Sequence, residues 1–236
     1  MRRKPLQIAI DGPIGSGKST AAAEVARRLG IFLVDAGALY RAAALIGIRH
    51  KIRPDQAPLD GAVLFRRAKI IERQPVGQEA DGRKITVLLD GEDVSWAIRT
   101  HEVDDLVAKF AVNKEIIEAV HQKEREMSRW HDVVIEGREI GTMVLPEAQV
   151  KVYLTADVRE RAKRRFAEYV RRGNHVSHSE IVRALKERDE LDMKRAWAPL
   201  RKAEGAVLID TTDKTVDEVA EEILKLVAEN YSKLLK

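Results

Sequence analysis

The fold is decided by residues 6–20, which read LQIAIDGPIGSGKST. An apolar run at residues 8–10 ends abruptly at Asp11 and Gly12. Residues 12–19 then fit the pattern G-x-x-x-x-G-K-[ST], and an alanine-rich segment with helical spacing follows at once. A buried strand, a glycine-rich loop and a helix, in this order, are the context in which the pattern predicts a phosphate-binding loop.

The residue types in this loop are those that a nucleoside triphosphate site requires. Glycines let backbone N–H groups point at phosphate oxygens, and the start of the following helix adds partial positive charge. Lys18 is predicted to reach the β- and γ-phosphates, and the Ser19 hydroxyl is predicted to bind Mg²⁺. The residues predicted to hold the triphosphate are Gly12, Pro13, Ile14, Gly15, Ser16, Gly17, Lys18, Ser19 and Thr20.

Composition is typical of a globular protein. Of the 236 residues, 44% are hydrophobic and 34% are charged, and the net charge is +4. A net positive charge is compatible with binding either nucleic acid or small molecules that carry several phosphate charges. We favour phosphates, because many arginines lie in or beside the motifs and aromatic residues are only 5%. The chain has no cysteine, and its first apolar run is too short for a signal peptide or a membrane span, so we predict a cytoplasmic protein without a membrane partner.

Strands and helices are predicted to alternate along the chain. Besides the first strand, buried strands are predicted at residues 31–34, 133–135, 150–154 and 207–209. The segments between several of them show helical spacing of apolar residues. This order predicts an α/β fold with a parallel sheet of about five strands and helices on both faces. Because ligands bind at the carboxyl ends of parallel strands, Asp11 and Asp35 are expected at one rim.

Two segments depart from this alternation. Residues 60–103 contain the turn signals Asp81-Gly82 and Asp90-Gly91 around a β-branched run, which predicts a small antiparallel insert. One helical pattern then extends from about residue 102 to about residue 130. Residues 157–197 are helical and dense in charge, with a break at residues 172–175, which predicts a helix–loop–helix excursion.

Arginines recur after the predicted strands and within this excursion. Arg41 follows the second strand, Arg138 follows the third, and Arg188, Asp192 and Arg195 close the excursion. Spacings of four and three residues would place the last three on one face of a helix. Taken alone, this spacing also fits a solvated helix with surface ion pairs, and such pairs contribute little to stability.

Five strings occur in order along the chain: IAIDGPIGSGKST, DAGALYRAAAL, GEDVSWAIRTHEV, EGREIGTMVLPEAQVKVYLTA and KERDELDMKRAWAPL. In this order and spacing they resemble the bacterial cytidylate kinase family. The resemblance implies a nucleoside-monophosphate kinase fold of one domain, with a P-loop core at about residues 1–35, 104–156 and 198–236, an acceptor-binding region at 36–103 and a mobile lid at 157–197. It also implies that ATP, with Mg²⁺, donates its γ-phosphoryl group to CMP or dCMP. We expect a monomer that binds no nucleic acid.

The resemblance also implies roles for individual residues. On the donor side, Lys18 and Ser19 hold ATP and the metal ion, and Arg161 and Arg165 close over ATP. The residues implied to bind the acceptor are Asp35, Arg41, Arg138, Glu139, Arg188, Asp192 and Arg195. Those implied to be catalytic are Lys18, Arg138, Arg188 and Arg195. Arginine suits this work because it binds phosphate bidentately and stays charged.

Four positions depart from the family pattern. Ala36 stands where serine or threonine is common, and Glu139 replaces aspartate. Ala108 and Ile117 fall where other members carry a serine and an arginine that contact cytosine. Loss of such hydrogen-bonding groups lowers discrimination between bases, so a different or broader monophosphate acceptor remains an alternative. A P-loop regulatory protein without phosphoryl transfer is the second alternative, although a pure switch would not require the acceptor-side arginines.

Overall fold

The computed structural model describes residues 3–53, 58–171 and 177–234. The strands in these ranges are β1 (Gln7–Asp11), β2 (Phe32–Asp35), β3 (Ile70–Arg73), β4 (Thr86–Leu89), β5 (Glu92–Asp93), β6 (Val133–Gly137), β7 (Val150–Thr155) and β8 (Val207–Asp210). The α-helices are α1 (Lys18–Leu29), α2 (Ala36–Arg49), α3 (Pro58–Arg67), α4 (His101–Phe110), α5 (Lys114–Ser128), α6 (Val158–Arg171), α7 (His178–Lys194) and α8 (Val216–Leu234).

Five strands form a parallel sheet in the order β2-β6-β1-β7-β8, which confirms the predicted fold class and strand number. Asp35 of β2 lies opposite Glu136 of β6, and Asp11 of β1 lies opposite Tyr153 of β7. Residues 8–10 of β1 are fully buried. Strands covered by helices on both faces are continuously apolar, which is why the run at residues 8–10 was readable from the sequence.

The chain divides into two compact units. The first consists of Met1–Gln7 and Leu29–Glu136, and the second of Ile8–Arg28 and Gly137–Lys236. The first unit therefore contains helices α2 to α5 and a separate three-stranded sheet. The second contains the glycine-rich loop, α1 and helices α6 to α8.

The insert of the first unit is the antiparallel sheet β3-β4-β5, as predicted. Asp90 and Gly91 join β4 to β5 with φ values of +52° and +91°. Two successive positive φ values give the tight turn that matches strand twist, and this explains the Asp-Gly pair. The other turn signal, Asp81-Gly82, is a turn within the longer connection between β3 and β4. Helix α3, which precedes this sheet, was not predicted.

The expectation of one helical pattern from residue 102 to 130 is wrong, because α4 ends at Phe110 and α5 begins at Lys114. The side chain of Asn113 accepts hydrogen bonds from the N–H groups of Glu115 (3.1 Å) and Ile116 (3.4 Å). An asparagine that satisfies the first free N–H groups of a helix defines a helix start. Two separate helices therefore occupy the segment.

Helices α6 and α7 form the excursion of the second unit. They share an apolar cluster of Ala162, Ile181 and Leu185. Ser177 and Glu180 form a reciprocal capping box at the start of α7, with Ser177 Oγ accepting the Glu180 N–H at 3.2 Å. The predicted break at residues 172–175 lies outside the described residues. None of the described helices combines the length and apolar content needed to cross a membrane.

Candidate active site

The loop between β1 and α1 has the backbone of a phosphate cradle. Gly12, Gly15 and Gly17 have φ values of +149°, +79° and +87°, where side chains other than hydrogen are disfavoured. A Cβ built on Gly12 would lie 2.0 Å from the carbonyl oxygen of Leu154. The loop therefore requires glycine for its conformation and for the close approach of its backbone to other groups. This shape fits a polyphosphate surrounded by N–H groups at the start of a helix.

Lys18 is the first residue of α1 and is buried. Its Nζ donates a hydrogen bond to the carbonyl oxygen of Pro13 at 2.9 Å, and the Ser16 hydroxyl donates to the same oxygen at 2.9 Å. The ammonium group is therefore held against the loop that precedes it. Ser19 and Thr20 follow in the first helical turn, so the predicted triphosphate-binding residues form one continuous segment.

The two arginines predicted to close over ATP have protein partners in this structure. Arg161 is buried and donates to both carboxylate oxygens of Asp189, at 3.1 and 2.7 Å, and to the carbonyl oxygen of Ile14 at 3.1 Å. Arg165 donates to Glu168 at 2.6 Å and lies over the ring of Tyr169. Arg161 thus supports the loop at Ile14, and ATP binding by either arginine stays a prediction.

Arg164 was grouped with Arg161 and Arg165 among the arginines that begin the excursion, but the resemblance gave it no role of its own, and in the structure it lies next to the phosphate loop. Its guanidinium donates to the Thr211 hydroxyl at 3.0 Å and to the Thr211 carbonyl at 2.6 Å. The Thr211 hydroxyl in turn donates to the carbonyl oxygen of Ser16 at 3.1 Å. A Cβ on Gly17 would lie 3.6 Å from Arg164 Nη1. Helical spacing places both Arg164 and Arg165 on the same face as Arg161, so it does not single out Arg164.

Three of the predicted arginines converge on two buried carboxylates in the second unit. The Arg138 Nε donates to one oxygen of Asp192, and the Arg188 Nε lies 3.2 Å from the other. Arg195 Nη2 donates to Glu139 at 2.9 Å, and both of those side chains are 4% exposed. We call these five residues the arginine cluster. Because Asp192 is 2% exposed, the surface-ion-pair interpretation does not describe it.

The route by which Arg195 joins the arginine cluster differs from the prediction. Helix α7 ends at Lys194, and Arg195 has the extended backbone of a C-cap, with φ −52° and ψ 133°. It therefore does not continue the helical face of Arg188 and Asp192. Its side chain instead pairs with Glu139, the residue that directly follows Arg138. The ion pair with Glu139, rather than helical periodicity, brings Arg195 into the cluster.

Burial and crowding set the electrostatics of this cluster. Burial lowers the pKa of Arg188, the carboxylate of Asp192 opposes that change, and the positive charges of Arg138 and Arg195 add to it. The guanidinium group nevertheless stays charged, because its ordinary pKa lies far above neutral pH. Within these five residues, three guanidinium groups face two carboxylates. This composition suits the binding of an anionic ligand.

Asp35 and Arg41 belong to the first unit. Asp35 accepts the N–H of Ala38 at 3.1 Å and so caps α2, the helix that carries Arg41. Arg41 forms an ion pair with Asp104 and donates to the carbonyl oxygen of Ile98 at 3.3 Å. Arg41 therefore already has an anionic partner, which an acceptor phosphate would have to replace. Binding of the acceptor by Asp35 and Arg41 remains a prediction.

A buried carboxylate beside Asp35 was missed in the sequence. Glu72 of β3 accepts the backbone N–H of Asp35 at 2.8 Å. Burial raises the pKa of Glu72 well above its usual value, and the neighbouring carboxylates of Asp35 and Glu136 raise it further. No sequence motif marks Glu72, because it reaches Asp35 only through the packing of the insert.

Three of the four positions that depart from the family pattern, all except Glu139, carry side chains that cannot form hydrogen bonds. Ala36 is buried at the start of α2, and Ile117 is fully buried on α5. Ala108 is partly buried on α4. Burial of Ile117 makes it a core residue, which accounts for an apolar side chain at this position.

The sheet order and the loop geometry define an α/β protein of the P-loop nucleotide-binding class. The crystal structure of an uncharacterized protein from Eubacterium ventriosum is similar in fold, with a TM-score of 0.50 and 15% identity over 94% of this chain and 98% of that chain. Residues 8–229 match the model of the cytidylate kinase family.

Relatives within that family match along almost their whole length. Cytidylate kinases of Shouchella clausii and Bacillus licheniformis are each 40% identical, and the alignments cover 96% and 98% of this chain and 98% and 99% of those relatives. The cytidylate kinase of Desulforamulus reducens is 42% identical over 93% of this chain and 96% of its own length. The chain therefore belongs to the cytidylate kinase family, which confirms the resemblance of its motifs.

Proposed function

We propose that this protein transfers the γ-phosphoryl group of ATP to CMP or dCMP. The observation that carries the proposal is the arginine cluster, partly buried around two buried carboxylates, in the same unit as the glycine-rich phosphate loop. A nucleotide switch needs the loop alone. A kinase for a phosphorylated acceptor also needs guanidinium groups for the acceptor phosphate and for the phosphoryl group in transfer.

On the donor side, the loop N–H groups hold the phosphates of ATP, and Lys18 exchanges the Pro13 carbonyl for a phosphate oxygen. The Ser19 hydroxyl would hold Mg²⁺, which when bound would neutralise charge on the phosphates of ATP. No group of three or more potential metal-binding side chains occurs in the part of the chain that the structure describes. A single hydroxyl ligand fits Mg²⁺, because Mg²⁺ retains waters and binds mainly through phosphates.

On the acceptor side, Arg138 and Arg41 hold the monophosphate, and Arg188 and Arg195 neutralise charge on the phosphoryl group in transfer. Asp192 orients Arg138 and Arg188 and accepts hydrogen bonds from the acceptor sugar. One oxygen of the acceptor phosphate bonds to the γ-phosphorus while the bond from that phosphorus to the β–γ bridging oxygen breaks. The acceptor phosphate is already ionised at neutral pH, so the reaction requires no general base.

Product analysis tests this proposal. Wild-type protein incubated with ATP, Mg²⁺ and CMP is expected to form ADP and CDP in equal amounts. The variant Arg188→Ala is expected to lower the single-turnover rate by about 10²- to 10³-fold, because a preorganised positive group at the transferring phosphoryl is lost. Its ATP affinity is expected to stay near that of the wild type, because Arg188 lies outside the phosphate loop.

Arg183→Ala is the matched control, because Arg183 lies on the same helix with a 74% exposed side chain and only a 3.9 Å ion pair to Glu187. It is expected to retain the wild-type rate. ADP formation without CDP, or nucleotide binding without turnover on any monophosphate, would contradict the proposal. A near wild-type rate for Arg188→Ala would remove Arg188 from the mechanism.

A further inference from the structure

Asp11 ends β1, directly before the phosphate loop, and its side chain bonds to another segment of the second unit. Its Oδ1 accepts the N–H of Ile140 and its Oδ2 accepts the N–H of Gly141, both at 2.7 Å. Asp11 itself is 2% exposed. Two short bonds from successive backbone N–H groups to separate oxygens fix both the position and the orientation of the carboxylate.

The turn that Asp11 binds carries part of the arginine cluster. Glu139 precedes Ile140 and pairs with Arg195, while Arg138 pairs with Asp192. The turn is thus attached to the cluster through its side chains and to β1 through its backbone. Ile140 and Gly141 begin a short π-helical turn, and the first N–H groups of such a turn have no acceptor within it. The Asp11 carboxylate accepts both of these N–H groups.

The close approach of Asp11 to this turn depends on a glycine. A Cβ on Gly141 would lie 3.2 Å from Asp11 Oδ2 and 3.1 Å from the Cβ of Ala203. Neither neighbour has room to move away freely, because both are buried. Gly141 therefore permits the contact that Asp11 makes.

We propose that Asp11 is a positioning residue, which holds the turn of residues 138–141 so that Arg138 and Glu139 keep their places in the arginine cluster. Since Asp11 also leads directly into the phosphate loop, one side chain ties the donor-binding loop to the phosphoryl-transfer arginines. This inference rests on the proposed function for its kinetic consequence. Its structural consequence can be measured separately.

The charges around Asp11 are consistent with this role. Burial raises the pKa of Asp11 to about 7, the N–H groups of Gly141 and Ile140 lower it, Glu139 raises it and Lys18 lowers it. Tyr153 is its partner on β7, and burial first and the Asp11 charge second raise the pKa of Tyr153. Two N–H donors on separate oxygens match the ionised carboxylate, which has acceptor sites on both.

The kinetic test compares Asp11→Asn with the wild type. Asparagine keeps the shape but has only one acceptor oxygen, so one of the two N–H groups loses its partner. We expect kcat to fall by about tenfold or more through misplacement of the arginines, with an unchanged dissociation constant for ATP. Asp90→Asn is the matched control, because Asp90 also accepts a backbone N–H at 2.7 Å but lies in the insert. It should keep the wild-type kcat.

A second variant and an exchange measurement keep the inference testable if Asp11→Asn folds poorly. Gly141→Ala retains the Asp11 carboxylate but moves it away from the turn, because the added Cβ would lie 3.2 Å from Asp11 Oδ2. This variant should reproduce the loss of kcat. Amide hydrogen exchange should accelerate at Ile140 and Gly141 in Asp11→Asn and stay unchanged in α1. Hydrogen exchange can be measured whether or not the protein turns over substrate. An inactive wild type would therefore contradict the proposed function, while the exchange rates would still test the role of Asp11.

Three results would overturn the inference. Wild-type kcat in folded Asp11→Asn or Gly141→Ala would show that the contact does not position the arginines. Parallel loss of ATP affinity, kcat and melting temperature would show a general structural role. Unchanged exchange at Ile140 and Gly141 would show that Asp11 does not hold this turn.

Discussion

Asp192 illustrates how a buried acid organises basic residues. It contacts Arg138 with one oxygen and Arg188 with the other, and it is almost fully buried. A buried charge is tolerated only when it is paired. Removing either arginine therefore leaves Asp192 with one cationic partner instead of two, so the effects of single substitutions in the cluster are expected to be non-additive.

The raised pKa of Asp11 gives a prediction for stability against pH. Between its usual value of 3.8 and about 7, the folded state holds a proton on Asp11 that the unfolded state has released. Stability falls with rising pH wherever the folded state binds more protons. The Asp11 contribution is therefore expected to fall from about pH 4 to about pH 7, by up to about 4 kcal/mol.

Urea unfolding of the wild type and of Asp11→Asn at about pH 5 and about pH 8 measures this contribution. Relative to the variant, the wild type should lose stability at the higher pH, because asparagine does not titrate. A stability difference between the two proteins that is equal at both pH values would show that Asp11 keeps its ordinary pKa.

At the level of elements, helix starts decide the architecture of the first unit. Asn113 separates α4 from α5 by capping the second helix, and Asp35 does the same for α2. Each cap places a defined set of residues on the buried face of its helix. Ile116 and Val120 of α5 are fully buried as a result.

Asn113→Ala is expected to lower the free energy of unfolding by about 1 kcal/mol, because two N–H groups of α5 lose their acceptor. Asn113→Asp is the matched control, since aspartate caps helices equally well. Denaturant unfolding of the three proteins measures the difference. A stability of Asn113→Ala equal to that of the wild type would show that the side-chain cap contributes nothing to α5.

Local patterns predicted the elements whose signals lie within a few residues. The phosphate loop and the Asp90-Gly91 turn were readable because their backbone conformations demand glycine at fixed positions. The break between α4 and α5 was missed because residues 110–112 continue an apolar pattern that hides the cap at Asn113. Propensity does not reveal a break when neither glycine nor proline marks it.

Contacts distant in the sequence could not be predicted in the same way. The pairing of Arg195 with Glu139 joins residues 56 apart, and that of Asp11 with Ile140 joins residues 129 apart. Helical spacing correctly grouped Arg188 with Asp192 but gave no reason to distinguish Arg164 from Arg165. Which neighbouring arginine faces the phosphate loop depends on the packing of α6 in the second unit.

For the whole molecule, the two units contain different parts of the proposed machinery. The second holds the phosphate loop and the arginine cluster, and the first holds Asp35, Arg41 and the positions Ala36, Ala108 and Ile117, at which the resemblance predicted groups that contact the acceptor. Apart from Glu139, the residues predicted to handle phosphate follow the family pattern that the resemblance implies, whereas Ala36, Ala108 and Ile117 offer no side-chain hydrogen bonds. We therefore expect reaction type and base selectivity to depend on different residues.

The most direct test of the central claim is a coupled ADP-release assay with Mg²⁺ and ATP against CMP, dCMP, UMP, AMP, GMP and dTMP. Membership of the cytidylate kinase family predicts the highest kcat/KM for CMP and dCMP, with other groups reading the cytosine. Comparable values for several monophosphates, or a preference for another one, would contradict that selectivity and point to the altered positions. No transfer to any of the six would contradict phosphoryl transfer itself and favour a regulatory role for the bound nucleotide.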